Sequence, residues 1–305
     1  MSAPGVERPL GTATANIDGF LGAIGTEQFF SDIWGKRPAI FTLEPNEQSY
    51  INGTVGPLEI ERLASLASEG SQAWLATEYI GHSVIPVDST TARQYFDVGA
   101  TLYFLNIPLP ALTDRIADVL GAPRRRVIAS VFLTPPKSGA VPHFDKNENF
   151  TIQLTGRKSW RVSTSPIVSN PHKSHVFGQA AHADLVRLGA DLDQIMPEKE
   201  YALTPGTILY VPRGVTHSTY AEDASWSLNI SYTGLIWADL AHCLYDHLLA
   251  SPEWRRSVVG LGDQSSIAAK KQNVAPELLV ELGKLLADQN LVRDLCDDLL
   301  SQNKK

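Results

Sequence analysis

The segment whose residue types and spacing most invite chemistry is His143-Phe144-Asp145. In an extended strand, residues i and i+2 point to the same side, so this imidazole and carboxylate would face one way together. A lone His-x-Asp pair is common, and a second signal is needed. It comes from Thr204 to His217, which reads as turn, apolar strand, turn, and then a histidine opening the next strand. Two histidines and one carboxylate on adjacent strands would make the facial set of a non-haem Fe(II) centre. Such a set leaves the opposite side of the metal open for a co-substrate and dioxygen.

Lys158 is the third element. Thr155-Gly156 supplies a hairpin turn, so Lys158 falls on the strand that folds back beside the one following the His-x-Asp pair. An ammonium inside the mouth of a sandwich is costly unless it meets an anion, and a dicarboxylate chelating iron at one end would present one at the other. Exposure on a strand edge is the plainer reading of the same lysine, and position alone does not decide between them.

The elements that must carry these residues form a recognisable order. Helices are expected from Thr26, as its cap, to Gly35, from about Pro57 to Ser68, and from about Pro110 to Leu120, the last closed by Gly121 and Pro123. From Arg126 the texture turns to short β-rich segments between Pro/Gly turns: 127–134, 150–154, 159–162, 207–211, 216–220 and 225–232. That spacing suggests a double-sheet β sandwich or barrel. A long polar excursion spans 163–200, with a short helix expected around 181–188. Residues 235–249 read as an amphipathic helix. A single final helix is expected with Pro276 in its first turn and Leu278, Leu285, Val292 and Leu299 recurring every seven residues, Leu282 and Cys296 beside them. Its apolar stripe packs on its own domain or forms a subunit interface.

Two longer runs carry a family resemblance. Val131 to Asp145, continuing through Gln153-Leu154-Thr155-Gly156-Arg157-Lys158-Ser159-Trp160-Arg161-Val162, resembles the JmjC-type, cupin-fold 2-oxoglutarate oxygenases. Phe29-Phe30-Ser31-Asp32-Ile33-Trp34-Gly35-Lys36-Arg37-Pro38 is similar to the N-terminal signature of their ribosomal-oxygenase-like branch, whose members hydroxylate protein side chains. The resemblance implies a mainly β fold with helical decoration, a double-stranded β-helix (jelly-roll) core plus C-terminal helices. It implies Fe(II) bound by His143, Asp145 and His217, with 2-oxoglutarate and O2 as co-substrates. It places Lys158 on the 5-carboxylate of 2-oxoglutarate, with Thr134 adding a hydroxyl. Asn149 falls where a related asparaginyl hydroxylase has an active-site asparagine, and is the third residue expected to bind the co-substrate. Phe132 stands where close relatives often carry a tyrosine near the co-substrate, and Ser130 or Tyr103 is positioned to compensate. Tyr103 and Asn229, from the barrel interior, and Arg213, near His217, are the candidates for substrate contact.

Three regions follow: 1–95 as a mixed α/β part packing on the core, 96–235 as the catalytic double-stranded β-helix, and 236–305 as a helical part with a candidate homodimer surface. Only 73 residues follow Tyr232 (305 − 232), room for a helical dimerisation part but not for a winged-helix domain as well. Hydroxylation of a C–H bond on a protein or peptide side chain is the expected reaction. A tailoring oxygenase acting on a small natural product or free amino acid is the alternative. From another class, a non-catalytic metal-binding cupin sensor fits the same triad.

Composition supports an enzyme-sized globule. Hydrophobic residues make up 43% of 305 and charged residues 19%, too apolar for a disordered chain. With Lys+Arg 26 against Asp+Glu 33, the net charge is -7, which argues against electrostatic capture of nucleic acid. No apolar run reaches membrane-span length, and no signal peptide is evident, so a cytoplasmic protein without a membrane partner is expected. Cys243 and Cys296 read as reduced core thiols. His172, His175 and His182 are too loosely spaced for a zinc site and read as loop residues near substrate. His82, His242 and His247 read as packing or surface residues, and Trp160 and Trp226 as sandwich core.

Overall fold

The computed structural model describes residues 25–55, 59–77, 81–180, 183–187, 198–255 and 275–302. Two compact units divide between Thr233 and Gly234.

In chain order the first unit contains α1 (Thr26–Asp32), β1 (Ala39–Thr42), α2 (Pro45–Val55), α3 (Ile60–Leu66), β2 (Ser71–Thr77), β3 (Gly81–Val87), α4 (Ala92–Asp97), β4 (Thr101–Phe104) and α5 (Pro110–Leu120). The strands β5 (Val127–Thr134), β6 (His143–Phe144), β7 (Glu148–Thr155), β8 (Lys158–Val162) and β9 (His175–Val176) follow. After α6 (Ala183–Val186) come β10 (Lys199–Leu203), β11 (Thr207–Val211), β12 (His217–Tyr220) and β13 (Ser225–Tyr232). Eight strands pair in the order β1-β11-β7-β13-β5-β4-β2-β3 and five in the order β10-β8-β12-β6-β9. Every registered pairing is antiparallel. This is the expected two-sheet jelly roll.

Side-chain alternation explains how the larger sheet serves two purposes. Along β5, Val127, Ala129, Val131 and Leu133 join the main apolar core; along β7, Phe150, Ile152 and Leu154 do; along β13, Leu228 and Ile230 do. The intervening residues, among them Thr134, Asn149, Thr151, Ser227, Asn229 and Ser231, line a pocket instead. Both faces are buried, one apolar and one polar, which only period-2 geometry allows in so short a sequence.

The N-terminal aromatic signature packs on the apolar face. Phe29 is fully buried, and Trp34 stacks on Tyr210 with centroids 5.8 Å apart. The Tyr210 hydroxyl accepts a hydrogen bond from Gly35 N (2.8 Å) and donates to Glu148 Oε2 (2.6 Å). Gly25, not Thr26, occupies the N-cap of α1, and the helix ends at Asp32, three residues before Gly35. Helices α2 and α4 and strands β1 to β3 have weak sequence signals and were not expected; α2 carries only Ile51 and Val55 as buried anchors among polar residues. The helix expected from Pro57 begins at Ile60 among the described residues, with Ile60 and Leu63 buried and Ala64 and Ala67 partly so. α5 ends where expected, with Gly121 left-handed at φ 59°.

The second unit holds α7 (Trp237–Leu249), α8 (Ala275–Ala287) and α9 (Gln289–Gln302). The single final helix is corrected to two. Asp288 Oδ1 accepts from the backbone N of Asn290 (2.9 Å) and Leu291 (3.2 Å), the geometry of an N-cap that starts α9. Both cysteines are free thiols and only partly buried, so they are not core residues. Among the described residues no helix is long and apolar enough to cross a membrane.

Candidate active site

β6 and β12 are neighbours in the smaller sheet, and their register sets His143 opposite His217. Asp145 follows β6 immediately. One ligand atom from each of His143, Asp145 and His217 lies within 4.8 Å of the others. The expected triad is therefore assembled by a strand pairing, not by chain proximity.

Each imidazole is oriented from its own strand. His143 Nδ1 is 2.7 Å from Val141 O, and His217 Nδ1 is 3.0 Å from Val215 O. A carbonyl only accepts, so each ring carries its proton on Nδ1 and presents the bare Nε2 to the site. Burial, reinforced by the neighbouring His143, holds the His217 pKa well below its ordinary value, which keeps that ring neutral. Trp160 stacks on His217 with centroids 5.4 Å apart, a wall of the site as well as part of the smaller sheet's core.

Asp145 is held from two sides. Asn149 Nδ2 donates to its Oδ2 at 2.8 Å, and its backbone carbonyl accepts from Gly214 N at 2.8 Å. Two imidazoles and a carboxylate on one side of an open pocket fit a divalent iron.

The pocket between the sheets holds about 750 Å³ of empty space, counting the open solvent at its mouth. Lys158 opens β8 and points into it, only 3% exposed. Among the described residues nothing hydrogen-bonds or pairs with its ammonium. Burial pushes its pKa down to about 7. The edge-exposed reading of Lys158 is thereby excluded. Thr134 is buried in the same pocket. Tyr103 stacks on Phe132 at 4.2 Å with planes 9° apart, and Trp74 meets both rings edge-on. Burial pushes the pKa of the Tyr103 hydroxyl up to about 12, a rise that the nearby Ser130 hydroxyl tempers. Phe132, Ser130 and Tyr103, linked in the sequence as a substitution and its compensators, are thus contiguous.

Two expectations change. Asn149 does line the pocket, but its amide is engaged with Asp145, Ser231 and Asn229 rather than held free for a co-substrate. Arg213 does not line the pocket. Its guanidinium lies 3.6 Å from Glu148 Oε1 and donates to Asn170 Oδ1 at 2.6 Å, so it clamps the turn leading to His217. Asn229 lines the pocket, with Thr151 Oγ1 donating to its Oδ1 at 3.0 Å. Thr101, Thr151, Ser227 and Ser231 were missed. Their signal is a polar residue at every second place in strands whose other face is apolar.

The remaining histidines stay apart. His175 is buried against Phe144 and Phe177, and His172 is exposed. His182 and the side chain of His82 lie outside the described residues. His242 and His247 are exposed on α7, as expected, and Trp226 packs against the main core.

Residues 107–240 match the family model described as the JmjC domain. With the two-sheet fold and the triad, residues 107–240 form a JmjC-type, cupin-fold domain that carries the ligand set of an Fe(II)/2-oxoglutarate-dependent oxygenase. The chain is similar to members of the ribosomal-oxygenase branch. It is 28% identical over 306 residues to the Aedes aegypti bifunctional lysine-specific demethylase and histidyl-hydroxylase NO66, covering 92% of this chain and 45% of that one. It is 27% identical over 242 residues to Danio rerio ribosomal oxygenase 1, covering 70% and 40%. The chain thus spans less than half the length of those two relatives. Uncharacterized protein YxbC of Bacillus subtilis (strain 168) is 25% identical over 240 residues, covering 73% of this chain and 72% of YxbC. Among solved structures, the ribosomal oxygenase YcfD from Escherichia coli, in complex with cobalt and 2-oxoglutarate, shares the fold. Its TM-score is 0.57 at 19% identity, covering 90% of this chain and 70% of that one.

Proposed function

We propose that this chain hydroxylates a C–H bond on a side chain of a protein or peptide. The observation that carries the reading is the pairing of an assembled triad with a buried Lys158, which has no partner among the described residues, in one pocket. The names of the relatives, a ribosomal oxygenase and a histidyl-hydroxylase, favour a protein or peptide substrate over a small metabolite.

His143, Asp145 and His217 would hold Fe(II). With 2-oxoglutarate and O2, that metal supplies the oxidation that places one oxygen atom on the substrate carbon while the co-substrate becomes succinate and CO2. The chain's residues do the rest. Lys158 gives the far carboxylate of 2-oxoglutarate a charge-assisted partner, and Thr134 adds a hydroxyl donor. The carbonyls of Val141 and Val215 hold both rings with Nε2 turned towards the metal position. Trp160, Phe132 and Tyr103 form an apolar wall that excludes water and leaves the substrate a defined approach. Tyr103 on β4 is the residue proposed for substrate contact, whereas Asn229, on β13 beyond the intervening β5, is committed to Thr151, Ser231 and Asn149. No general base is required.

The helical second unit is proposed to mediate a homodimer. Trp237 is 87% exposed, Val280 59% and Leu286 54%, apolar surface of the kind a subunit interface covers. Val280→Glu with Leu286→Glu should give a monomer by light scattering where the parent protein gives a dimer; a monomeric parent removes this part of the reading.

The test of function is succinate formation from 2-oxoglutarate, followed with and without Fe(II) and O2, together with a mass increase of one oxygen on candidate peptides. Turnover should require both and vanish in His143→Ala. Turnover without iron, or full activity in that variant, overturns the reading. Its absence under every condition favours the metal-binding sensor.

A further inference from the structure

We propose that Asn149 is the positioning residue of the metal centre, the last member of a side-chain hydrogen-bond chain of fixed polarity that sets how tightly Asp145 and its two histidines hold a divalent metal. This rests on the oxygenase reading for the identity of the site, but it concerns metal affinity alone.

The three ligands are oriented by different means. Each histidine is fixed by a carbonyl two residues earlier on its own segment. The Asp145 carboxylate is instead met from the other sheet, by Asn149 of β7. Behind Asn149 the bonds run across to β13. Asn149 Oδ1 accepts from Ser231 Oγ (2.7 Å) and Asn229 Nδ2 (3.2 Å). Asn229 Nδ2 also donates to Ser231 Oγ (2.9 Å), and Asn229 Oδ1 accepts from Thr151 Oγ1 (3.0 Å). All four side chains are buried.

The carboxylate end sets the polarity of this chain. Asp145 Oδ2 accepts from the Asn149 NH2, which turns the Asn149 oxygen towards Ser231 and Asn229. Ser231 gives its single proton to that oxygen, and the Asn229 NH2 faces Asn149 and Ser231, leaving the Asn229 oxygen for Thr151. The Thr151 hydroxyl can donate or accept and follows this order. Reversing the Asn149 amide would set its oxygen against the Asp145 carboxylate in a buried place, where neither has water to turn to.

Partners that orient a metal ligand typically change metal affinity by about 10–100-fold when removed. Asn149→Ala should fall in that range. Asn149→Asp, nearly the same shape but with an acceptor facing an acceptor, should weaken binding further. Ser231→Ala keeps the amide but loosens its orientation, and should cause a smaller loss in the same direction.

The experiment is titration of metal-free protein with Mn(II), with no 2-oxoglutarate present, reading free Mn(II) by electron paramagnetic resonance. The expected order of weakening is Asn149→Asp, Asn149→Ala, Ser231→Ala, parent. At saturating Co(II) the visible ligand-field bands of Asn149→Ala should shift from the parent's, a change that lower stability by itself does not produce. Parent-like affinity and unchanged bands in Asn149→Ala overturn the proposal. If the Asn149 variants do not fold, parent-like affinity in Ser231→Ala overturns it. A parent protein that binds Mn(II) with this dependence yet forms no succinate defeats the oxygenase reading and leaves the positioning role standing.

Discussion

His143 and His217 face each other as direct cross-strand partners, their ring centroids 4.2 Å apart. The pairing is short, since β6 is a two-residue strand, and it is secured by the approach to it. Ala140 and Thr219 exchange backbone hydrogen bonds at 3.2 and 3.0 Å. A Cβ on the adjacent Gly139 would lie 1.9 Å from Thr219 O. A one-residue slip would turn an imidazole to the opposite face, so the metal site depends on this register.

Gly139→Ala should therefore force β12 away from the 138–141 segment. Metal affinity, measured by Mn(II) titration, should fall at least about tenfold, the lower end for disturbed ligand support, with a lower melting temperature. Parent-like values for both would show that the close approach does not hold the register.

Lys158 makes co-substrate binding depend on pH. Its pKa in the empty pocket is about 7 against an ordinary 10.5, because burial disfavours the ammonium. For the fold itself, the unfolded chain binds the extra proton between those values, so this lysine's contribution raises stability as pH climbs from about 7 towards 10.5. A bound carboxylate reverses the preference and requires the proton back. Affinity for 2-oxoglutarate should weaken by about tenfold per pH unit above pH 7, with proton uptake on binding detectable by calorimetry in buffers of different ionisation enthalpy. In Lys158→Met the affinity should be low and the slope absent. A flat profile in the parent would show that the carboxylate goes elsewhere.

Tyr210 ties the N-terminal aromatic signature to the strand that carries Asn149. Removing its hydroxyl leaves the buried Glu148 carboxylate short of a partner, while the N–H of the exposed Gly35 can turn to water. Tyr210→Phe should cost about 1–3 kcal/mol in urea denaturation. A loss of only a few tenths would mean that the stacking of Trp34 on the ring, not the hydroxyl, holds the segment.

Asp288→Ala should destabilise the second unit by about 1 kcal/mol, as loss of an N-cap usually does, without altering metal affinity. Urea denaturation followed by circular dichroism checks it. A more helical variant would mean that Asp288 only interrupts a helix the sequence prefers to continue.

The triad was legible in the sequence because two strand-spaced motifs set its faces and the family resemblance joined them, whereas the hairpin turn placed Lys158 on its strand without deciding that it is buried. The jelly-roll strands were legible for the same reason: β5, β11 and β13 begin and end where the Pro/Gly turns place them. What escaped depended on contacts distant in the chain. Arg213 looked free beside His217, yet its partners Glu148 and Asn170 come from β7 and the 163–174 segment. Strands β1 and β2 have no pattern of their own and exist because β11 and β4 offer edges to pair with. The break at Asp288 was hidden by a seven-residue apolar repeat that continues through it, although an aspartate at that place is itself a helix-starting signal. The polar lining of β7 and β13 was visible as alternation, but its meaning required knowing that the second face was also buried.

The central claim is tested most directly by anomalous diffraction from crystals grown with Mn(II) and 2-oxoglutarate. The account predicts one peak within bonding distance of His143 Nε2, His217 Nε2 and the Asp145 carboxylate, and density for the diacid running from it to Lys158 Nζ. A peak held by other residues, or a diacid whose far carboxylate does not reach Lys158, would contradict it.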